Sequence, residues 1–586
     1  MTTKLKPVDV VVIGVGVTGT ILAQELAAAG LRVVGIERGQ MRDTYPDFQM
    51  PNAHDELRYQ HRHELMQDLS RETLTFRNNR GETALPMRYL GSFKPGEGVG
   101  GAGVHWGTQN WRFSPWDFET RGRTIARYGK NHLAEDCTSQ DWGVTYNELE
   151  PHFDRFERVY ATCGKAGNLN GKIIAGGNPY EGPRSHEFPL PPMKTPYAAA
   201  LFADAAKSLG YRPFPVPVST PSQTYTNPYG VTLNACVYCG YCEGFACEMA
   251  SKASPQTTVL PVLMANKNFE LRTLANVVKI NLDETKRRAV SVTYVDSRGR
   301  EFEQPAELVL LTSYVFNNVR LMLHSGIGKP YDPLANTGVV GRNYAYQTPS
   351  SVTLFYEDKY FNSFMGAGGL GMAVDDFNGD NFDHGGLGFI GGGFIKSVSS
   401  GARPIEIRPV PSGTPRWGAA WKKATAHYFN RNFGIALQGA CQSYRGNYLD
   451  LDPTYRDAYG LPLLRMTFDR HDNEHKMSQY ITAKAAEIGK AANPSKMNVN
   501  PRAGHYTIVP YQSTHNTGGA VMGNDPATSA VNRYLQSWDV PNLFVIGASA
   551  FPQNGGYNPT NTVGALTYWA LDAIRNRYLK NPGALA

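Results

Sequence analysis

The 586-residue sequence is 41% hydrophobic and 19% charged, with a formal net charge of +7, the balance of a soluble, well-cored protein of two or more domains. No run of about 18 apolar residues occurs, which excludes a membrane-spanning helix, and no Lys/Arg cluster with interleaved aromatics occurs, which argues against nucleic-acid binding. Sixty glycines beside 11% aromatic residues fit a loop-rich enzyme and not low-complexity disorder.

The chain opens Met1-Thr2-Thr3-Lys4-Leu5-Lys6 and enters a strand by Val8, leaving no room for a signal peptide. Val8 to Ile13 reads as a buried strand, Ile21 to Ala29 as a helix ended by Gly30, and Arg32 to Ile36 as a second strand running into Glu37. Between the first two lies Gly14-Val15-Gly16-Val17-Thr18-Gly19. Gly14 permits the tight turn, Gly16 lets backbone approach a pyrophosphate, and Gly19 lets the helix pack closely on the sheet. The helix N-terminus then offers N–H groups and a positive dipole to phosphates. Glu37 suits the ribose hydroxyls and would repel a 2′-phosphate. Together these predict a dinucleotide site, without separating FAD from NAD.

Further along, Gly98-Val99-Gly100-Gly101-Ala102-Gly103-Val104-His105-Trp106-Gly107 lets backbone lie against a bulky planar ligand. Cys236, Cys239, Cys242 and Cys247 fall within twelve residues, a spacing that suits an iron–sulfur cluster or zinc better than local disulfides; Cys137, Cys163 and Cys441 are scattered. Leu308 to Thr312 reads as a buried strand, followed by Asn317 to Leu323 and Ser325-Gly326-Ile327-Gly328. Residues 366–393 are glycine-rich and include Asp375-Asp376-Phe377-Asn378-Gly379-Asp380, a faint calcium-loop signal that departs from the EF-hand pattern; a cap or active-site loop is favoured. Asn542 to Ala548 is a last strand ending on Gly547.

The N-terminal loop, the Gly98–Gly107 string, Ser325–Gly328, Val340-Gly341-Arg342-Asn343 and the stretch from His515 to Thr562 keep the order seen in the glucose–methanol–choline (GMC) oxidoreductases, which the sequence resembles over most of its length. The cysteine run, continuing to Lys252-Ala253-Ser254-Pro255, looks like that of the flavoprotein subunits of gluconate 2-dehydrogenase and related bacterial sugar dehydrogenases. The resemblance implies a mixed α/β fold: a Rossmann-like FAD-binding domain assembled from 1–120, 225–345 and 500–586, and a substrate domain of β-sheet plus helices from 121–224 and 346–499.

It further implies FAD as cofactor, held by Gly14, Gly16, Gly19, Glu37, Gly100, Gly101, His105, Trp106, Gly547, Ala548 and Asn558. A covalent bond from His105 to the flavin 8α-methyl is expected, with non-covalent packing as the alternative; Val104 stands where such relatives often carry Thr or Leu. Sugar oxidation needs a base for the hydroxyl proton and a group to hold the oxygen, and histidine titrates near working pH. The resemblance points to His515 as base and to Asn558, preferred over Asn561, as its partner, with His505 as a decoy ten residues upstream. Cys236, Cys239, Cys242 and Cys247 are expected to hold an iron–sulfur cluster, 3Fe–4S rather than 4Fe–4S; structural zinc or no metal are the alternatives. The implied reaction oxidises a hydroxyl of a sugar, sugar acid or polyol, passing electrons through the cluster to a cytochrome c subunit. A small subunit carrying the export signal would make the complex periplasmic and membrane-associated through partners alone, with the cytoplasm as alternative. An O2-using sugar oxidase, a glucoside 3-dehydrogenase and a non-catalytic binding module are the rival readings.

Overall fold

The computed structural model describes residues 2–49, 65–88, 95–362, 366, 368–398, 409–508 and 514–585. Its largest sheet has eight strands. From one edge run Phe269–Arg272, Val33–Ile36, Val8–Ile13 and Glu301–Leu311, all parallel, followed by Ala289–Asp296 and Ala275–Leu282, which are antiparallel. Leu543–Val545 and Thr3–Lys4 each add parallel to Glu301–Leu311. The parallel centre reads almost wholly apolar because both its faces are covered, and Val11, Val12, Val309 and Leu310 are fully buried. The first helix, Val17–Ala28, follows the glycine loop directly. A Cβ on Gly19 would lie 2.1 Å from the Gly14 carbonyl oxygen, so only glycine lets this helix sit on the loop.

A second sheet of six strands is antiparallel throughout, in the order Lys496–Asn500, Thr348–Phe355, Asn432–Gly439, Gly393–Val398, Met372–Val374 and Phe214–Pro215. Period-two alternation gives it two different faces. Val352, Ile395, Ile435 and Leu437 face a separate core built with Phe202 of helix Tyr197–Ser208 and Ile481 and Ala485 of helix Asp472–Ala491. Phe394 belongs to the main core instead and stacks on Trp111 at 4.8 Å between ring centroids. The opposite face of this sheet therefore looks toward the main core, which the eight-stranded sheet also helps build.

Two packings tie distant segments together. Leu74–Arg77 pairs with Pro462–Thr467 in a four-stranded sheet, and helix Tyr146–Val159 packs along helix Thr560–Ala573. Both run across the segment boundaries expected from sequence. Among the described residues no helix is long and apolar enough to cross a membrane.

Candidate active site

One cavity of about 490 Å³ runs between the two sheets, a size that suits a buried small-molecule ligand. Gly14, Gly16, Val17 and Thr18 line it at the N-terminus of the first helix, with Glu37 at the end of the second strand. Glu37 is buried; its carboxylate accepts from the backbone N–H of Val15 at 3.0 Å and of Gly39 at 2.9 Å. A Cβ on Gly16 would meet nothing within 4 Å, and one on Gly101 would meet only the Gly16 Cα at 3.6 Å. The two glycines thus leave open the space that a pyrophosphate and its backbone cradle need, so the residues present fit a dinucleotide. Gly101, His105 and Trp106 line the cavity from the Gly98–Gly107 string, and Gly547, Ala548 and Asn558 line it from the C-terminal segment. Gly100 stands behind this wall, where a Cβ would come 2.6 Å from Gln256 Oε1. His105 is buried, and the Trp106 indole donates to the Ala253 carbonyl at 2.8 Å.

His515 and Asn558 meet in the same cavity. Asn558 Nδ2 lies 3.2 Å from His515 Nε2. On the other side of the ring, His515 Nδ1 is 2.7 Å from Gln347 Oε1. The Gln347 amide is oriented unambiguously, because its nitrogen donates to the carbonyls of Gly555 at 2.9 Å and Tyr557 at 2.7 Å. Its oxygen can therefore only accept, so the proton sits on Nδ1 and the Nε2 lone pair faces Asn558. Burial pushes the His515 pKa down to about 4, so the ring is neutral at physiological pH. Gln438, on the six-stranded sheet, donates to Asn558 Oδ1 at 3.4 Å. An imidazole lone pair beside an oriented carboxamide can accept a hydroxyl proton while the amide holds the oxygen.

Asn561 points elsewhere, donating to Glu157 Oε1 at 3.0 Å, and His505 is an exposed partner of Asp469. The acidic segment after Val374 braces the site. Asp375 is buried and accepts from the Tyr557 hydroxyl and from Asn178 Nδ2 at 3.0 Å, and a Cβ on Gly556 would come 2.4 Å from Asn378 Oδ1. Gln347 and Gln438 escaped the sequence reading, since neither sits in a motif.

The four clustered cysteines share one loop and are free thiols. Among the described residues no group of three or more His, Cys, Asp or Glu side chains is gathered closely enough to hold a metal ion, while the thiols of Cys236, Cys239, Cys242 and Cys247 lie within electrostatic reach of one another. The loop also has an anchor. The buried Lys252 ammonium donates to the carbonyls of Cys242 at 2.8 Å, Phe245 at 2.6 Å and Trp106 at 3.3 Å, tying the loop to the cavity wall.

Family models described as GMC oxidoreductase match residues 192–348 and 443–567. The chain is 53% identical to the gluconate 2-dehydrogenase flavoprotein of Pantoea cypripedii, over 99% of this chain and 96% of that protein. It is 27% identical to the 2-methyl-1,2-propanediol dehydrogenase of Mycolicibacterium austroafricanum, over 99% and 97%. Among solved structures, pyridoxine 4-oxidase from Mesorbium loti superposes with a TM-score of 0.59 at 15% identity, covering 97% of this chain and 99% of that one, which is a likeness of fold.

Proposed function

Because the chain belongs to the GMC oxidoreductase family, we propose that it is an FAD-dependent dehydrogenase acting on a hydroxyl of a sugar, sugar acid or polyol, with His515 as base and Asn558 as the group that holds the substrate oxygen. The observation that carries this reading is the meeting of His515 Nε2 and Asn558 Nδ2 at 3.2 Å inside the cavity that Glu37 and the glycine loop also line. Full-length similarity to a gluconate 2-dehydrogenase flavoprotein supports the substrate class.

FAD, when bound, supplies the acceptor for the hydride leaving the substrate carbon. The chain's own residues do the rest. Gln347 keeps the proton on Nδ1, so Nε2 is ready to take the hydroxyl proton. Asn558 donates to the oxygen as negative charge develops on it, and Gln438 keeps that amide turned the right way. A positioned general base contributes typically about 10²- to 10⁴-fold. Anaerobic mixing with gluconate, 2-ketogluconate, sorbitol, glucose and a glucoside tests the reading: one of them bleaches the flavin absorbance within the turnover time. A flavin untouched by all five overturns it.

The same reading divides the chain into an FAD-binding domain from 1–120, 225–345 and 500–586 and a substrate domain from 121–224 and 346–499. It also includes a covalent His105–flavin bond, which flavin fluorescence surviving on a denaturing gel would support. Electrons leave for a cytochrome partner in a periplasmic complex, with a small export-bearing subunit. For the 3Fe–4S cluster the support is the cysteine spacing together with the resemblance to related sugar dehydrogenases, and no transfer step is derived through it. Iron and acid-labile sulfide in pure protein decide the matter.

A further inference from the structure

Strand Gly393–Val398 is apolar except for Lys396 and Ser397, and Lys396 is only 3% exposed. A buried ammonium is costly unless an anion or several acceptors compensate it. Among the described residues Lys396 makes no ion pair, and Glu243, which lines the cavity, is the acidic side chain whose field reaches it. Burial lowers its pKa to about 8, so it is still charged at neutral pH.

Alternation fixes the side of the sheet on which Lys396 stands. Ile395 faces the helix-covered core, so Phe394 and Lys396 face the first domain, where Phe394 stacks on Trp111 and on Tyr557 at 6.1 Å. On the neighbouring strand Phe394 pairs with Gln438 and Lys396 pairs with Ala436. Gln438 is therefore the diagonal neighbour of Lys396, about 7–8 Å away between Cα atoms and within reach of a long side chain. Gln438 in turn lines the cavity and holds Asn558. Lys396 thus stands on the same face of the sheet as Gln438, two residues along the strand from the Phe394–Gln438 pair, whose Gln438 side chain lines the cavity and holds Asn558.

We propose that Lys396 binds the carboxylate of the substrate and so selects sugar acids over neutral sugars and polyols. This rests on the reading that His515 and Asn558 are where the hydroxyl is oxidised. A mobile counter-ion brought by the substrate explains why a charge is kept in an otherwise apolar strand when Glu243, which lines the same cavity, does not pair with it.

The test compares gluconate, its uncharged amide gluconamide, and sorbitol, by anaerobic flavin reduction and steady-state turnover. Wild-type enzyme shows a KM about 10- to 100-fold lower for gluconate than for gluconamide, the worth of a charge-assisted hydrogen bond. Lys396→Met raises the gluconate KM by about the same factor, leaves kcat within a few-fold and leaves the sorbitol KM unchanged, with flavin content retained. Equal KM values for gluconate and gluconamide in the wild type, or an unaltered gluconate KM in Lys396→Met, overturn the proposal while the hydroxyl-oxidising reading stands. A wild-type flavin that none of the three reduces overturns the proposal, and the hydroxyl-oxidising reading falls with it only when 2-ketogluconate, glucose and a glucoside fail as well. The wild-type comparison needs no variant, so a poorly folding Lys396→Met leaves the proposal open to refutation.

Discussion

The carboxamide nitrogen of Asn558 and Nε2 of His515 face one another across 3.2 Å, although 43 residues separate them and different segments carry them into the cavity. The lone pair that can accept a proton and the donor that can hold an oxygen thus stand within hydrogen-bond distance of each other. An oxidised hydroxyl needs both at once.

Replacing His515 by Ala removes the acceptor and leaves the cofactor wall intact. We expect flavin content to stay near wild type and the anaerobic rate of flavin reduction to fall by about 10²- to 10⁴-fold. Asn558→Ala should lower the same rate by about 10²- to 10³-fold, as loss of one oxyanion donor does elsewhere. Stopped-flow absorbance reads both, and near-normal reduction in His515→Ala would refute its role.

Gln347 should act through His515 and not on the substrate. Its amide joins the ring at 2.7 Å to the backbone carbonyls of Gly555 and Tyr557, just before Asn558, so one side chain aligns both partners. Gln347→Leu frees the tautomer and should slow flavin reduction by about 100-fold with little change in KM. Gln347→Glu puts a carboxylate against Nδ1, favours the imidazolium and moves the acid limb of the rate profile to higher pH. Unmoved kinetics in both variants would show that the tautomer is set by something else.

The pH profile of the wild type carries a signature of burial. His515 has its pKa lowered to about 4 against an ordinary value near 6.5, so the neutral, proton-accepting ring persists well below neutrality. With an uncharged substrate such as sorbitol, kcat/KM should stay level from pH 7 to about pH 5 and fall only as pH drops toward 4. A limb near 6.5 would mean that the ring is solvated in the working enzyme.

These relationships were unequally visible before the fold was known. The glycine loop, its helix and Glu37 are contiguous, and each residue type answers a local steric or electrostatic need, so their arrangement could be read directly. His515 and Asn558 emerged from resemblance, while the choice of Asn558 over Asn561 became physical only with the two amides seen to point apart. Gln347 and Gln438 had no local signature: their neighbours arrive by sheet pairing and from loops 120 to 210 residues away in sequence. Lys396 did leave a trace, a lone cation inside an apolar strand. The cysteine spacing suggested a ligand set, and the fold brings its four thiols onto one loop within electrostatic reach of one another.

Glu37 should govern cofactor retention. Its carboxylate holds the glycine loop through Val15 and the following turn through Gly39, and lines the cavity besides. Glu37→Ala loses charge-assisted bonds to two backbone donors and the anchor for a ribose, and should weaken FAD binding by about 10- to 100-fold. The measurement belongs in a His105→Ala background, where any covalent bond is absent and bound flavin can be counted after gel filtration. Unchanged retention there would separate Glu37 from the cofactor.

A fully buried charge makes the last prediction. Glu157 is fully buried on helix Tyr146–Val159, where Arg112 grips it with two bonds of 2.8 and 2.9 Å, Arg184 pairs with it as well, and Asn561 donates to it at 3.0 Å. Burial pushes its carboxyl up, but the two guanidiniums outweigh this and hold the pKa at about 2. Because Asn561 lies three residues past Asn558, this cluster fixes the helix that carries the site's C-terminal wall. Glu157→Gln leaves two buried cations with less compensation and should cost about 3–5 kcal/mol, seen as a lower thermal midpoint at pH 7. The native pKa lies below the unfolded value, so the carboxylate's contribution is present above about pH 4.5 and is lost as pH falls toward 2. The midpoint difference between wild type and Glu157→Gln should therefore shrink on acidification through that window. A difference that stays constant would assign the effect to packing instead of charge.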